Sequence, residues 1–248
     1  GEIKWQIQKF ALKSVQAIIT DSKASQKDIV KIIGKNVNQV EPIYLAQAEY
    51  FKHLEADKQT SFKAKYKLNN QNIAYIGDIN WNKNIFGLLK AFALLKKKIA
   101  GLKLILVGKS FTDNAKKELK EINEEIISLN LQNDIVKTGY LKDMEMVEMY
   151  NSTKMVVLPS FAEGFGLPVL EAMACGTPAV VAQNTSLVEI AGPSKLVDPK
   201  DPADILRGIV EIFKLGVDEY RELSKKCLDW TNNFSWQKTV RQTVRVYE

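Results

Sequence analysis

The stretch SFAEGFGLPVLEAMACGTPAVVA, residues 160–182, decides how this chain is built. It follows a short apolar run at 155–158 and opens with a turn in which Gly164 and Gly166 flank Phe165. Leu167, Pro168 and a helical run come next, and Gly176 stops that run before a second apolar segment at 178–181. Proline in the first helical turn and glycine just past the last are helix boundaries. The stretch therefore reads strand, loop, helix, strand, and the loop delivers the chain from the carboxyl end of a strand into a helix amino terminus. Such a place suits anions, because unpaired N–H groups point outward, the helix dipole adds partial positive charge and glycine lets a ligand approach the backbone.

Working outward, short apolar runs at 73–76, 102–107, 134–137, 155–158, 178–181 and 195–197 read as strands, each too short for a helix. Between them lie helical stretches such as 85–99, with Ile85, Leu88, Leu89, Phe92, Leu95 and Ile99 on one stripe, and 114–129. Alternating strand and helix predicts an α/β fold, a Rossmann-like doubly wound parallel sheet covered on both faces. The first residues break the pattern: a helix with Trp5, Phe10 and Leu12, a strand at 17–20, and a polar turn and helix from Asp21. Two helices and one strand cannot bury a core alone. Residues 1–39 are therefore expected to be the end of a preceding Rossmann-like domain, and the chain's opening at Gly1 instead of Met agrees with a missing upstream part. Residues 40–72, extended at 40–46 and polar and weakly helical from 49, read as an interdomain connection. Residues 73–233 form the main domain, and 234–248, with Trp236, Val240, Val244 and Tyr247 at helical spacing, a terminal helix.

Composition narrows the function classes. With 248 residues, 46% hydrophobic and 26% charged, the chain is neither disordered nor fibrous. Two cysteines and one histidine leave no disulfide framework and no zinc cluster, so no metal is expected and the compartment is expected to be reducing. No apolar run reaches the roughly 18 residues of a membrane span, and a soluble, cytoplasmic chain is expected. The 35 Lys and Arg against 29 acids give +6, which fits anionic partners. Because the lysines are spread without an arginine-rich block or interleaved aromatics, nucleic acid is not expected, while peripheral association with the inner face of a membrane stays open.

Two carboxylates bracket the glycine loop, Glu163 before it and Glu171 one turn into the helix. Taken singly they read as a loop surface residue and a favourable first-turn acid. Beside an anion-binding loop, however, carboxylates suit hydroxyl groups, from which they accept hydrogen bonds. A ligand with a diphosphate between hydroxyl-rich sugars meets both demands, and a nucleotide sugar is such a ligand.

Glu163 and Glu171, seven residues apart within EGFGLPVLEAMACGTPAVV, resemble the Glu-x7-Glu motif of glycosyltransferase family 4, the retaining transferases of GT-B fold. YIGDINWNKNIFGLLKAF from Tyr75 is similar to the first strand, turn and helix of that family's carboxyl-terminal donor-binding domain, and LILVGK from Leu104 to its second strand. NDIVKTGYLKDMEMVEMYNSTKMVVLPS from Asn133 resembles the third strand, short helix and fourth strand. FSWQKTVRQTVRVYE from Phe234 is similar to the terminal helix, and AIITDSKASQKDI from Ala17 to the end of the amino-terminal acceptor domain. The resemblance implies that Glu171 accepts from the ribose and Glu163 from the transferred sugar. It further implies that backbone amides of Gly164, Phe165, Gly166 and Leu167 meet the sugar and distal phosphate, and that Lys83 holds the diphosphate, making Glu163 and Lys83 the catalytic pair. Tyr140 and Leu141, after Gly139, would carry the nucleobase, and Gly77 would end the first strand near the phosphates. One departure stands out: the family commonly has arginine after that glycine, where this chain has Asp78. Since Lys83 and Asp78 cannot both face a diphosphate, Asp78 is expected to turn aside onto backbone N–H groups of its own turn.

The activity so implied is transfer of a hexose from GDP-mannose or a UDP-hexose to a hydroxyl of a glycan or lipid-linked acceptor in surface polysaccharide or glycan synthesis. No cofactor is implied. The acceptor would be held by the missing amino-terminal domain, so the chain alone is not expected to turn over. The alternative is a non-catalytic nucleotide-sugar-binding or regulatory subunit of glycosyltransferase fold, which Asp78 favours and Glu163, Lys83 and Glu171 together oppose.

Overall fold

The computed structural model describes residues 2–55, 60–69, 71–99 and 101–248; Gly1, and residues 56–59 and 70 of the stretch read as connection, lie outside them. The chain begins with α1 (Glu2–Ser14), β1 (Ile18–Thr20), α2 (Lys23–Ile33) and β2 (Val40–Pro42), followed by α3 (Thr60–Tyr66). Strand and helix then alternate: β3 (Ile73–Ile76), α4 (Ile85–Lys96), β4 (Leu104–Val107), α5 (Lys117–Ser128), β5 (Ile135–Gly139) and α6 (Asp143–Asn151). The second half continues with β6 (Met155–Leu158), α7 (Leu167–Ala174), β7 (Ala179–Ala182), α8 (Leu187–Ile190), β8 (Lys195–Val197), α9 (Pro202–Phe213), α10 (Val217–Thr231) and α11 (Trp236–Tyr247).

β3 to β8 form one six-stranded parallel sheet in the order β5-β4-β3-β6-β7-β8. The chain winds outward from β3 through β4 to β5, then returns to lay β6 on the other side of β3. Ile73 is in register with Leu104 on one side and Met155 on the other. The reversal makes the gap between β3 and β6 the topological switch point, where open α/β sheets gather ligands at the strand carboxyl ends.

Alternation along each strand divides the core. Ile73, Tyr75, Leu104, Leu106, Met155 and Val157 turn to one face, under α4, α5 and α9, in a cluster that includes Leu88, Phe92, Ile122 and Ile209. Ala74, Ile105, Val156, Leu158 and Val181 turn to the other, with Tyr150, Val169, Leu170 and Met173 from α6 and α7. Both faces of β3, β4, β6 and β7 are covered, which is why these strands read as unbroken apolar runs. Boundaries shift slightly from the sequence reading. The helix expected from 114 begins at Lys117, because Asp113 first closes a turn by accepting from Ala115 N at 3.2 Å and Lys116 N at 3.0 Å.

The extended run from residue 40 begins as a strand, with Ile18 opposite Val40 and Thr20 opposite Pro42 in a parallel pair. From there the chain crosses to the larger sheet, burying Ile43, Ala46 and Phe51. α11 lies back against this crossing, where Thr239 Oγ1 donates to Tyr44 O at 2.6 Å. The amino terminus of α2 has no acidic residue in its own first turn. Glu189 of α8 takes that place, accepting from Lys23 N at 2.9 Å and Ala24 N at 2.8 Å. This carboxylate satisfies two orphan helix donors and meets the positive end of the helix dipole. Burial, with Glu189 accepting the phenol proton at 2.7 Å, pushes Tyr44 up to about 12.

Glycines end three adjacent strands. Gly77 N donates to Val107 O at 3.0 Å and Gly108 N to Gly139 O at 3.0 Å. Gly108 has φ +151, and a Cβ there would lie 2.3 Å from Gly77 O. Strained backbone and overpacking each cost about 1–3 kcal/mol, so Gly108→Ala is expected to lose about 2–5 kcal/mol of unfolding free energy in urea titration. A loss below about 1 kcal/mol would show that the two strand ends are free to separate.

Candidate functional site

The glycine strand ends leave an open cavity of about 410 Å³ above β3, β4 and β5. Gly77 and Gly108 line it, with Tyr140 and Leu141 beyond β5, Tyr50 and Phe51 from the crossing segment, and Glu171 from α7. Four residues singled out in the sequence, Gly77, Tyr140, Leu141 and Glu171, thus meet around one space. Leu141 is buried and Tyr140 is 72% exposed, its ring at the rim.

Glu171 accepts from the hydroxyl of Tyr150, itself fully buried, at 2.7 Å. Burial raises the Glu171 carboxyl above its ordinary value; the Tyr150 hydrogen bond opposes this and nearby Asp143 adds to it. The Tyr150 phenol is raised well above its own ordinary value, chiefly by burial. Cys175, in the same cluster, is pushed by burial up to about 12, so its thiol stays protonated and is a packing group.

The second set lies across the switch point. Lys83 ends a 3₁₀ turn, Trp81–Lys83, after β3, and Glu163 lies in the loop after β6. Lys83 Nζ stands 2.7 Å from both Glu163 oxygens, and Ser160 Oγ donates to Oε1 at 2.8 Å. The loops carrying them are stitched together. Asn82 Nδ2 donates to Ala162 O at 3.0 Å, Phe161 N to Asn82 O at 2.7 Å, and Asn84 Nδ2 to Pro159 O at 3.0 Å and Pro199 O at 2.6 Å.

The glycine loop has the expected form. Gly166 has φ +99, Pro168 sits in the first turn of α7, and Gly176 with φ +75 follows its end. A Cβ on Gly166 would lie 2.7 Å from Leu187 Cδ2. Phe165 is a core residue, its ring centroid 5.9 Å from that of Tyr44 and 6.4 Å from that of Phe234. The Gly164 carbonyl accepts from Ser22 Oγ at 2.7 Å, so the loop is fastened to the start of α2. Leu167 opens α7.

Asp78 corrects the sequence reading. Its carboxylate does not cap its own turn but accepts from Ser110 Oγ at 2.5 Å, a hydroxyl that also receives Lys116 Nζ at 2.8 Å. The close approach of Gly77 and Gly108 brings the turn after β4 within reach, and a buried hydroxyl with a cation behind it holds a carboxylate better than a solvated turn N–H. Sequence reasoning missed Asn84, Ser110, Lys109 and Tyr150. Asn84 had a readable signal, an asparagine one residue before an apolar helical run. Lys109, exposed at the cavity wall, and Ser110 follow a strand glycine with nothing local to mark them. Tyr150 reads as an ordinary core aromatic.

Parallel strands wound both ways from a switch point, with a glycine loop and helix amino terminus beside it, define a Rossmann-like domain with the fold found in GT-B glycosyltransferases. The chain belongs to the family described as glycosyl transferases group 1, whose model matches residues 57–230. It is 33% identical over 244 residues to the O-antigen chain mannosyltransferase B of Escherichia coli, a match covering 96% of this chain and 62% of that protein. Sucrose-phosphate synthase of Thermosynechococcus elongatus superposes with a TM-score of 0.85 at 23% identity, over 100% of this chain and 61% of the other. The Anabaena protein HepE, solved in complex with UDP and glucose, gives 0.83 at 18% identity, over 94% of this chain and 63% of the other. At these identities the solved structures share the fold. The chain spans about three fifths of the length of each of these proteins.

Glu171 has a consequence for stability. Because its folded carboxyl is raised, chiefly by burial, the folded state holds that proton more tightly than the unfolded chain does. The stability it contributes is complete below the ordinary value of 4.5 and is lost as pH rises through the raised folded value. Glu171→Gln removes the titration, so its unfolding free energy is expected to gain on that of the unsubstituted chain as pH rises from 4 towards 7. Parallel stability curves in chemical denaturation would refute this.

Proposed function

We propose that the parent protein transfers a hexose, mannose by its likeness to the E. coli relative, from a nucleoside diphosphate sugar to a hydroxyl of a glycan or lipid-linked acceptor in surface polysaccharide or glycan synthesis. The reading places it in the retaining family 4, acting in the cytoplasm or at the inner face of the membrane, with this chain as the donor-binding half. GDP-mannose and the UDP-hexoses are the donor candidates. The observation that carries the proposal is the convergence of Gly77, Tyr140, Leu141 and Glu171 on one cavity, beside a switch point spanned by Lys83 and Glu163.

In this reading the base lies against Tyr140 and Leu141, the ribose gives its hydroxyl hydrogens to Glu171, and the glycine terrace lets the backbone approach the diphosphate. As the bond from sugar to phosphate breaks, negative charge grows on the leaving oxygen. Lys83 and the N–H groups opening α7 stabilise that charge more in the transition state than in the ground state. Glu163 accepts from hydroxyls of the sugar and orients it. In the front-face route that the resemblance to family 4 implies, the acceptor oxygen bonds to the anomeric carbon on the face the diphosphate leaves, the departing phosphate oxygen takes the acceptor proton, and configuration is retained.

Calorimetry with UDP, GDP, ADP and their sugar conjugates tests the donor site. Glu171→Ala is expected to weaken nucleotide binding by about 1.5–3 kcal/mol, the worth of a hydrogen bond to a charged group, while a 2′,3′-dideoxy nucleotide binds both proteins equally. If the substitution weakens the dideoxy ligand as much as the native one, Glu171 acts through folding and not through ribose. In the same preparations the chain alone is expected to bind a nucleoside diphosphate yet transfer no sugar to simple acceptors. Robust turnover would show that residues 2–55 supply a working acceptor site.

A further inference from the structure

Lys83 and Glu163 have each been given a substrate contact, yet they are bound to one another. The ammonium sits 2.7 Å from both carboxylate oxygens. Their side chains are 21% and 11% exposed, so the pair is largely withdrawn from water. Neither backbone is free to follow a ligand. Lys83 N donates to Asn80 O at 3.0 Å, while Glu163 N donates to Thr185 Oγ1 at 3.2 Å and Glu163 O accepts from Ser186 Oγ at 2.9 Å. What can move is the four-carbon arm of Lys83.

A diphosphate arriving at the switch point therefore competes with Glu163 for the same ammonium. When Lys83 turns to phosphate, Glu163 keeps only the Ser160 hydroxyl, at 2.8 Å, and is left as a largely buried carboxylate beside a newly bound anion. Breaking one partner away from a buried ion pair is costly because the other charge remains unpaired. A sugar on the distal phosphate cancels that cost, since its hydroxyls are donors that the carboxylate can accept. A bare nucleoside diphosphate brings no such donors.

We infer that Glu163 is a specificity-determining residue that holds Lys83 against bare nucleoside diphosphate and releases it to a donor that carries its sugar. The inference rests on the donor-binding reading above. It gives the resting ion pair a role in discriminating substrate from product: once the sugar has left, Glu163 recaptures Lys83 and the nucleoside diphosphate loses its cation.

The test is calorimetric titration of the chain with UDP, GDP, UDP-glucose and GDP-mannose, with thermal unfolding recorded for every variant. Glu163→Gln, which keeps the shape and removes the charge, is expected to bind the nucleoside diphosphate at least tenfold tighter than the unsubstituted chain. Its preference for the sugar-bearing form is expected to fall by at least tenfold. That gain should vanish when Glu163→Gln is combined with Lys83→Ala, since a merely loosened fold would not depend on Lys83. Ser160→Ala gives a second reading that leaves the ion pair intact. It deprives Glu163 of its last donor when Lys83 departs, so the bare diphosphate should bind about threefold more weakly and the sugar-bearing donor nearly as before. Equal or weaker binding of the diphosphate by Glu163→Gln, or a gain that survives Lys83→Ala, would overturn the inference. An unsubstituted chain that binds none of the four ligands would instead overturn the donor-binding reading on which it rests.

Discussion

The side chain of Asn84 is the constraint on which the site depends. It is 7% exposed, and its residue takes a left-handed φ of +53, a conformation asparagine tolerates better than most. Its carboxamide oxygen accepts from Gly87 N and so caps α4, while its nitrogen donates to Pro159 O after β6 and Pro199 O after β8. One amide thus fixes the start of a helix and the ends of two strands. No side chain larger than hydrogen fits at Gly87, where a Cβ would meet Asn84 Oδ1 at 2.5 Å. With that joint set, Lys83 and Glu163 come from strands 80 residues apart and still face each other at 2.7 Å. Asn82 ties the same two loops a second time, its side chain donating to Ala162 O and its carbonyl accepting from Phe161 N.

The same economy appears where the amino-terminal elements meet the sheet. α2 carries no acid in its first turn, and the carboxylate that serves it belongs to α8, the helix against which Gly166 packs. Ser22 caps α2 by accepting from Ser25 N and also donates to the Gly164 carbonyl. The glycine loop is therefore held from both sides, by Leu187 and Ile190 beneath Gly166 and by Ser22 above Gly164. The shape of the glycine turn therefore depends in part on its contact with the start of α2.

What the sequence made legible follows from where a signal is local. β3, β4, β6 and β7 were readable because strands covered on both faces are apolar throughout, while the edge strands β5 and β8 carry Lys137, Thr138 and Lys195 and gave a weaker signal. α7 was readable because Pro168 and Gly176 punctuate it, and Glu163 and Glu171 drew notice because they bracket the glycine loop that leads into it. Ser110 with Asp78, and Tyr150 with Glu171, are partners from different crossovers, and no spacing within one segment announces them. The environment of Asp78 illustrates the difference. Its own turn suggested a local cap, but the glycine contact between β3 and β4 imports a hydroxyl and an ammonium from the next crossover, and tertiary proximity outweighs local preference. β2 was read as extended, while its partner could not be named, because three residues carry too little pattern to choose an edge.

The site concentrates groups that a stable fold would rather do without. Glu171 is a largely buried acid with one neutral donor, Gly108 holds a backbone that no side chain could accompany, and Asp143 and Asp78 add charge of the same sign to the cavity wall. Each places acceptor atoms or open backbone at the carboxyl edge of the sheet. A cavity lined by the carboxylates of Asp78, Asp143 and Glu171 as well as by Lys109 is better matched to a hydroxyl-rich part of a ligand than to an anion alone. The positive groups, Lys83 and the amino end of α7, are at the switch point between β3 and β6, to one side of the cavity. A ligand with sugar, diphosphate and nucleoside in series, as proposed above, would meet acceptors and cations separated in this way along the carboxyl edge of the sheet.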